Sequence, residues 1–197
     1  MRRLGLVVLV VAFAGLASGA RAEMAGNVQF LVGQRWLEDE QWSPVDEPPI
    51  FGVEVDFAPK DSPVRVALAA IMSGESKSGG ADPYFGVPGD AQAGFFEISA
   101  GFLWHPVKKA IVRPYLGAGV LMMGATIDNG FGAFVSDDVD QSFGFYGNVG
   151  VFFKVGETFN IGVDGRIVRG TDLEFRGSEV NGDYEQVGLL IGFSWGE

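Results

Sequence analysis

The sequence predicts an all-β protein: a closed, eight-stranded, antiparallel, up-and-down β-barrel that spans a membrane. Eight segments alternate apolar and polar residues with a period of two. Charged residues occur in the middle of several of these segments, and beyond the N-terminus no apolar run approaches the length of a spanning helix. This combination is typical of a membrane barrel, whose strands present one face to lipid and the other to a polar lumen.

The N-terminus has the pattern of an export signal. Arg2 and Arg3 precede an apolar run from Leu4 to Leu16, and an A-x-A pattern follows at 20–22. The run has about 13 residues, fewer than the roughly 20 that a spanning helix needs. We therefore predict a cleaved signal peptide over residues 1–22 and a barrel domain over residues 23–197.

Composition excludes several classes of function. The chain has no cysteine, so disulfides and thiolate metal sites are ruled out. Beyond residue 22 it carries 11 basic and 25 acidic side chains, a net charge near −14. Such an acidic chain lacks the basic patches that nucleic acid requires, so no nucleic-acid partner is expected. No motif indicates a cofactor or a metal site, and we expect neither.

The first four predicted strands alternate between an apolar face and a polar or small face. Apolar residues from Phe51 to Phe57 alternate with glycine and carboxylates, and a Pro59–Pro63 turn follows. In the other three strands, a charged residue sits among apolar neighbours. The first four predicted strands are Asn27–Leu37, Ile50–Ala58, Val64–Met72 and Gly94–His105.

The last four predicted strands have the same alternation, although the fifth is ambiguous because both of its faces are nearly apolar. We place Leu116, Val120 and Met122 outward, since Gly117 and Gly119 fit a crowded interior better. The sixth and seventh strands place phenylalanine and branched residues outward, and the eighth alternates up to its final tryptophan. The last four predicted strands are Val112–Ala125, Ser142–Val155, Thr158–Arg169 and Tyr184–Trp195.

A soluble β-sandwich or a lipocalin-like barrel would also alternate, but with its charges outside. Here the charges lie on the minority face of otherwise apolar strands, where a soluble core would make each of them costly. Because an eight-stranded barrel is just wide enough for side chains to fill it, we predict a luminal ion network. It acts either as a structural core or as a constriction for solutes. Its members are Arg35, Glu54, Asp56, Arg65, Glu97, Lys154, Asp164 and Arg166.

The connections alternate in length, as expected of short periplasmic turns and long extracellular loops. The short links are 59–63, 106–111 and 156–157, and the long ones are 38–49, 73–93, 126–141 and 170–183. The long loops are acidic, which favours solvation, or bridging by divalent ions to lipopolysaccharide, or attraction of a basic partner. Their acidic residues are Glu38, Asp39, Glu40, Asp46, Glu47, Glu75, Asp82, Asp90, Asp128, Asp137, Asp138, Asp140, Asp172, Glu174, Glu179 and Asp183, against Lys77 and Arg176.

Aromatic residues fall near the predicted strand ends, where amphipathic rings favour the headgroup layer. We predict Trp36 at the outer interface and Phe57, Trp104 and Trp195 at the inner one.

Two segments, Arg113–Val120 and Val187–Trp195, resemble strands of the OmpA/OmpX/OmpW-like family of small outer-membrane barrels. The resemblance covers the chain from residue 23 onward. It implies the outer membrane of a Gram-negative bacterium, with membrane lipid and lipopolysaccharide as surroundings. It also implies that the barrel-assembly machinery reads the last strand during insertion.

Enzymatic activity is not expected. The single histidine, His105, precedes Pro106 at a predicted periplasmic turn, and Ser99 lies roughly 20 Å away at ~3.3 Å per residue. We therefore predict an interfacial or turn-capping role for His105. The expected function is a structural or surface-interaction role through the acidic loops. The alternative is a narrow channel, or an OmpW-like route for small solutes or hydrophobic molecules.

Overall fold

The computed structural model describes residues 23–81, 88–107, 110–128, 139–175 and 178–196. The predicted signal peptide lies outside these ranges, as do Asp82, Asp137, Asp138 and Arg176. Ten strands are present in the described residues. The barrel strands are β1 (Met24–Leu37), β2 (Pro49–Pro59), β3 (Val64–Ala81), β4 (Pro88–Trp104), β5 (Val112–Asp128), β6 (Val139–Val155), β7 (Phe159–Arg169) and β10 (Tyr184–Trp195), and a small hairpin consists of β8 (Asp172–Phe175) and β9 (Ser178–Asn181).

The eight barrel strands form one closed antiparallel sheet, which confirms the predicted fold class. Each strand pairs with its sequence neighbours, and β10 pairs with both β7 and β1. Ile191, for example, lies opposite Ile161 on one side and Phe30 on the other. Closure leaves no sheet edge along the apolar belt, so the backbone polar groups there are satisfied within the sheet.

The apolar residues face outward and the polar residues inward, as the alternation predicts. Phe143 and Phe145 are about 70 % exposed, at 72 % and 69 %, whereas Glu97 and Arg166 are buried. The ambiguous fifth strand has the predicted orientation, because Leu116 and Val120 are exposed. An outer belt of exposed apolar side chains requires an apolar solvent around the barrel.

The loop boundaries predicted for the third to sixth strands are wrong. β3 and β4 extend well into the predicted loop 73–93, and Gly80 still pairs with Gly89. β5 continues to Asp128 and β6 begins at Val139, which shortens the predicted loop 126–141. These extensions carry glycine and polar residues, so they have no apolar face from which a period of two could be read.

Connection length does not by itself distinguish the two ends of the barrel, because the six residues between β3 and β4 are fewer than the seven between β4 and β5. We call the end with Met24, Trp195 and the three connections predicted to be short the turn end, and the opposite end the loop end. Two connections at the loop end contain ordered elements that were predicted as loop. A 3₁₀ turn occupies Glu40–Trp42 between β1 and β2, and the β8–β9 hairpin lies between β7 and β10.

No helix in the described part of the chain is long and apolar enough to cross a bilayer.

Candidate functional site

A charged cluster fills the middle of the lumen and is centred on Glu97 of β4. Its carboxylate accepts hydrogen bonds from Arg35 of β1 at 3.1 Å and from Arg166 of β7 at 2.7 Å. It also accepts one from the Tyr184 hydroxyl of β10. All four side chains are buried. One carboxylate thus joins four strands across the lumen, which is the geometry in which a buried charge is tolerated.

The two guanidinium groups make further contacts, although the Nε atom of each is buried without a hydrogen-bond partner among the described residues. Arg35 donates to Ser73 Oγ at 3.3 Å and to Gln186 Oε1 at 3.2 Å, and it lies over the Tyr184 ring, 3.7 Å from its centroid. Arg166 lies 4.3 Å from the centroid of the Tyr146 ring and 3.7 Å from the Glu54 carboxylate. Cation–π contacts of this kind are strongest when both partners are desolvated.

Two smaller polar clusters lie nearer the turn end. Asp164 accepts a hydrogen bond from the Tyr115 hydroxyl at 2.6 Å and another from Asn148 at 3.1 Å. Asp56 accepts from Arg65 at 2.8 Å and from Asn27 at 2.8 and 2.9 Å. The lumen therefore holds successive hydrogen-bonded layers, which is the filled interior expected of an eight-stranded barrel.

A hydrophobic cluster covers the lumen at the loop end. Trp42, from the 3₁₀ turn, is 1 % exposed and packs edge-to-face on Phe95 of β4, with ring centroids 5.0 Å apart. Its indole N–H donates to the backbone carbonyl of Asn181 at 2.8 Å. Leu173 and Val180 of the β8–β9 hairpin belong to the same buried cluster. Two loop-end connections are thus packed into the barrel mouth.

Carboxylates hold these two connections in place. Asp39 accepts hydrogen bonds from the backbone N–H of Gln41 at 2.9 Å and of Asn181 at 3.2 Å. Asp183 accepts from the backbone N–H of Thr171 at 2.9 Å and from its hydroxyl at 3.0 Å. Some acidic residues of the loop end therefore have a structural role, in addition to the charge they contribute.

The eight residues predicted to form a luminal network all lie on the lumen side of the wall. Seven of them belong to the central charged cluster or to the two smaller polar clusters, around Asp164 and Asp56. Lys154 lies near the turn end, where it lines a cavity together with Asn27 and Arg65. Of the predicted interfacial aromatics, Trp36 is exposed near the loop end, Trp104 and Trp195 are exposed at the turn end, and Phe57 is half-buried there. Their contact with the headgroup layer remains a prediction.

The interfacial role predicted for His105 is wrong, and the alternative of turn capping stays a prediction. Its side chain is 5 % exposed and lies inside the barrel near the turn end. The imidazole is 5.6 Å from the Tyr115 ring and 6.2 Å from the Phe152 ring, measured between centroids. An imidazole has an apolar body as well as polar nitrogens, so it packs in this aromatic stack, whereas the sequence indicated only that a turn lay beside it.

The predicted ion network left out the aromatic and amide members of the clusters. Tyr115, Tyr146, Tyr184 and Gln186 share the inward phase of their strands with the predicted charges, so their position in the alternation could have identified them. Trp42 is different, because a loop residue has no periodicity from which burial can be inferred.

A cavity of about 430 Å³ lies inside the wall at the turn end. Lys60, in the turn between β2 and β3, lines it and forms an ion pair with Glu23, 2.9 Å from nitrogen to oxygen. The hydrogen bond and the charge of Lys60 hold the pKa of Glu23 below its ordinary value, and the same contact raises the pKa of Lys60. Within the described ranges, no group of His, Asp and Glu side chains is arranged to hold a metal ion.

Solved bacterial surface and outer-membrane proteins share this architecture. No family model matches the chain, and no curated protein sequence does. Outer membrane protein OprG of Pseudomonas aeruginosa superposes with a TM-score of 0.63 at 14 % identity, over 90 % of this chain and 98 % of that one. The chain has the fold of the small outer-membrane β-barrels.

Two other structures of this fold have comparable scores. Neisserial surface protein A superposes with a TM-score of 0.61 at 14 % identity, covering 87 % of this chain and 96 % of that one. Ail, the attachment invasion locus protein of Yersinia pestis, was solved in complex with the heparin analogue sucrose octasulfate. It superposes with a TM-score of 0.60 at 13 % identity, covering 88 % and 99 % of the two chains. At these identities the likeness extends to the fold and no further.

Proposed function

We propose that this protein is an integral outer-membrane protein of a Gram-negative bacterium, in which the barrel is a rigid, filled support and the acidic loop end interacts with a partner. The filled lumen is the observation that carries the proposal. Between the Trp42 cluster and the turn-end cavity, buried side chains from all eight strands pack or hydrogen-bond across the interior. A lumen in this state favours surface interaction over conduction.

The exposed apolar belt supports insertion in a membrane. Large apolar residues such as Phe102 and Ile161 are exposed on the outer wall, and exposed Trp36 and Trp104 lie toward opposite ends of it. Membrane lipid and lipopolysaccharide are the proposed surroundings of this belt. The closing strand β10 ends on an outward-facing Trp195, the feature through which we propose recognition by the barrel-assembly machinery during insertion.

The charge of the loop end supports a basic or cation-bridged partner. Eleven of the predicted loop carboxylates have described side chains, and the described basic residues near them are Lys77 and Arg169, both in ion pairs with glutamates. Glu40, Glu47 and Glu179 are exposed. A dense acidic face attracts cations and raises the encounter rate with basic partners at low ionic strength. This acidic face would attract divalent ions that bridge to lipopolysaccharide phosphates, and it would equally attract a basic polypeptide.

Binding to a cationic surface tests the interaction. The mature chain, refolded in liposomes, is titrated with polylysine with and without the triple change Glu40→Gln, Glu47→Gln and Glu179→Gln. We expect weaker, less salt-sensitive binding for the triple variant, because each removed charge weakens the field at the loop end. The matched control neutralises three exposed carboxylates of the turn end, by Glu23→Gln, Asp61→Asn and Glu157→Gln. An equal loss in the control variant would contradict a function located at the loop end.

Solute flux through the same liposomes tests the alternative of a narrow channel. We expect no flux of small sugars or amino acids through the wild type, because the central cluster and the Trp42 cluster occupy the lumen. The double variant Glu97→Ala/Arg166→Ala removes the middle of the central cluster. Leakage only in that variant would mean that these charges plug the lumen. Flux through the wild type would instead establish transport.

A further inference from the structure

Four basic side chains line the turn-end cavity. Lys60 and Arg65 reach it from the β2–β3 turn and the start of β3, Arg113 from β5 and Lys154 from β6. Asp61 is the carboxylate among the residues that line it. Of the 11 basic residues beyond position 22, four therefore line one cavity, although the net charge of that part of the chain is near −14.

The cavity is accessible at one end and closed at the other. Lys60 and Asp61 at its rim are exposed, whereas His105, Phe152 and Asn160 at its inner side are buried. Beyond Phe152 the Tyr115 ring stacks on it, 4.7 Å between centroids, and the Tyr115 hydroxyl is bonded to Asp164. A solute can therefore enter from the turn end, but the packed layer stops it from crossing the barrel.

The side chains have the chemistry of an anion site. Guanidinium groups match carboxylate and phosphate oxygens with paired N–H donors, and lysine adds a mobile point charge. Arg65 and Lys60 already contact Asp56 and Glu23, which orients their side chains at the wall. The volume of about 430 Å³ falls within the range of small-molecule sites. Several cations around a partly enclosed space favour a compact anion of more than one charge.

We infer that the turn-end cavity is a binding site for a small phosphate-class anion, entered from the end of the barrel that carries the short turns. The same chemistry is offered by a soluble phosphate ester and by the headgroup of an anionic phospholipid. The site is independent of the proposed surface interaction, because it lies at the opposite end of the barrel and uses different residues.

Titration with inorganic pyrophosphate tests the inference. The mature chain is refolded in a maltoside detergent, which carries no phosphate, and binding is measured by calorimetry at low ionic strength. We expect saturable binding that weakens as salt is added, because the contacts are ionic. Absence of binding up to 10 mM, on the order of the weakest useful affinity, would overturn the inference. Phosphatidylglycerol added to the micelles then identifies the source. Displacement of pyrophosphate indicates a lipid headgroup, and no displacement indicates a soluble anion.

Matched charge removal locates the site. Arg113→Gln with Lys154→Gln removes two cations at the cavity, and we expect roughly tenfold weaker binding or more, the effect of losing charge-assisted hydrogen bonds. Lys77→Gln with Arg169→Gln removes the same charge at the loop end and should leave the affinity unchanged. Equal affinities of the two double variants would overturn the assignment.

A measurement on the wild type covers the case in which the cavity variant does not fold. Amide resonances of isotope-labelled protein are followed during the same pyrophosphate titration. Shifts concentrated at Lys60, Ser62 and Lys154 support the site. Shifts confined to the loop end, or spread evenly over the chain, would refute it.

Discussion

Neutralising Glu97 should destabilise the barrel far more than neutralising an exposed glutamate. In Glu97→Gln, the guanidinium groups of Arg35 and Arg166 remain buried without the carboxylate that accepts from both. Removing one partner of a buried ion pair costs about 3–5 kcal/mol, because the remaining charge is not compensated. Glu54 stands 3.7 Å from Arg166 and offsets part of the loss, so we expect a value near the lower figure.

Glu185→Gln is the matched control. Its side chain is 57 % exposed and lies 3.5 Å from Arg169 at the loop end of β10. Exposed ion pairs contribute about 0–1 kcal/mol, so this variant should stay within that range. The same chemical change is thereby compared at a buried and at an exposed position in one barrel.

The assay is urea unfolding of protein refolded in detergent or liposomes. The folded fraction is read from heat-dependent gel mobility and tryptophan fluorescence, and free energies come from linear extrapolation. A loss below about 1 kcal/mol for Glu97→Gln, equal to that of the control, would refute the view that the central cluster is a structural core. In the double variant Glu97→Gln/Arg35→Gln, the loss should be smaller than the sum of the single losses, since the two residues share one contact.

Three further predictions concern other parts of the barrel. Gly119→Ala should cost about 1–3 kcal/mol in urea unfolding, since a Cβ there would lie 2.3 Å from a backbone oxygen. Gly124→Ala on the same strand, whose Cβ would be no nearer than 3.7 Å to any atom, should change stability by about 0.5 kcal/mol or less. Trp42→Ala should cost about 3–5 kcal/mol in the same assay, and an unchanged stability would mean that the loop-end cover is not packed as described. The Glu23 carboxylate should titrate below its ordinary pKa of 4.5 in an NMR experiment. The ion pair with Lys60 then stabilises the fold above pH 4.5, and this stabilisation is lost as the pH falls through the lowered pKa. Lys60→Gln should return the titration midpoint of Glu23 toward 4.5.

The part of the fold that could be predicted from sequence is the part that contacts lipid. A bilayer requires an apolar outward face, so the alternation identified every barrel strand and the orientation of each one. Lys77 and Gly80 of β3 lie beyond that apolar belt, where both faces of a strand can be polar. Nothing in a single sequence then distinguishes a paired strand from a loop. Local alternation carries no information once neither face has to be apolar.

The charged members of the central cluster could be predicted, but their partners could not. Arg35 and Glu97 could be identified because a charged side chain in an otherwise apolar membrane strand has to face the lumen. Their contact depends on the register and shear of a closed barrel, which bring β1 and β4 side chains together across the interior. Trp42 is buried because the connection between β1 and β2 folds into the barrel mouth. Neither feature has a periodic signal, so both required the three-dimensional arrangement.

The distribution of charge along the barrel axis favours binding at each end over passage through the middle. Cations are attracted to the carboxylates of the loop end, where Trp42 covers the lumen. The inferred anion site is the basic cavity of the turn end, which is closed by the Tyr115–Asp164 layer. Conduction requires that an ion bind well enough to enter the pore and weakly enough to leave it. In this barrel the acidic loop end favours cations and the basic turn end favours anions, and the buried Glu97 cluster lies between them. An ion attracted to either end therefore meets packed side chains and, beyond them, charges of its own sign.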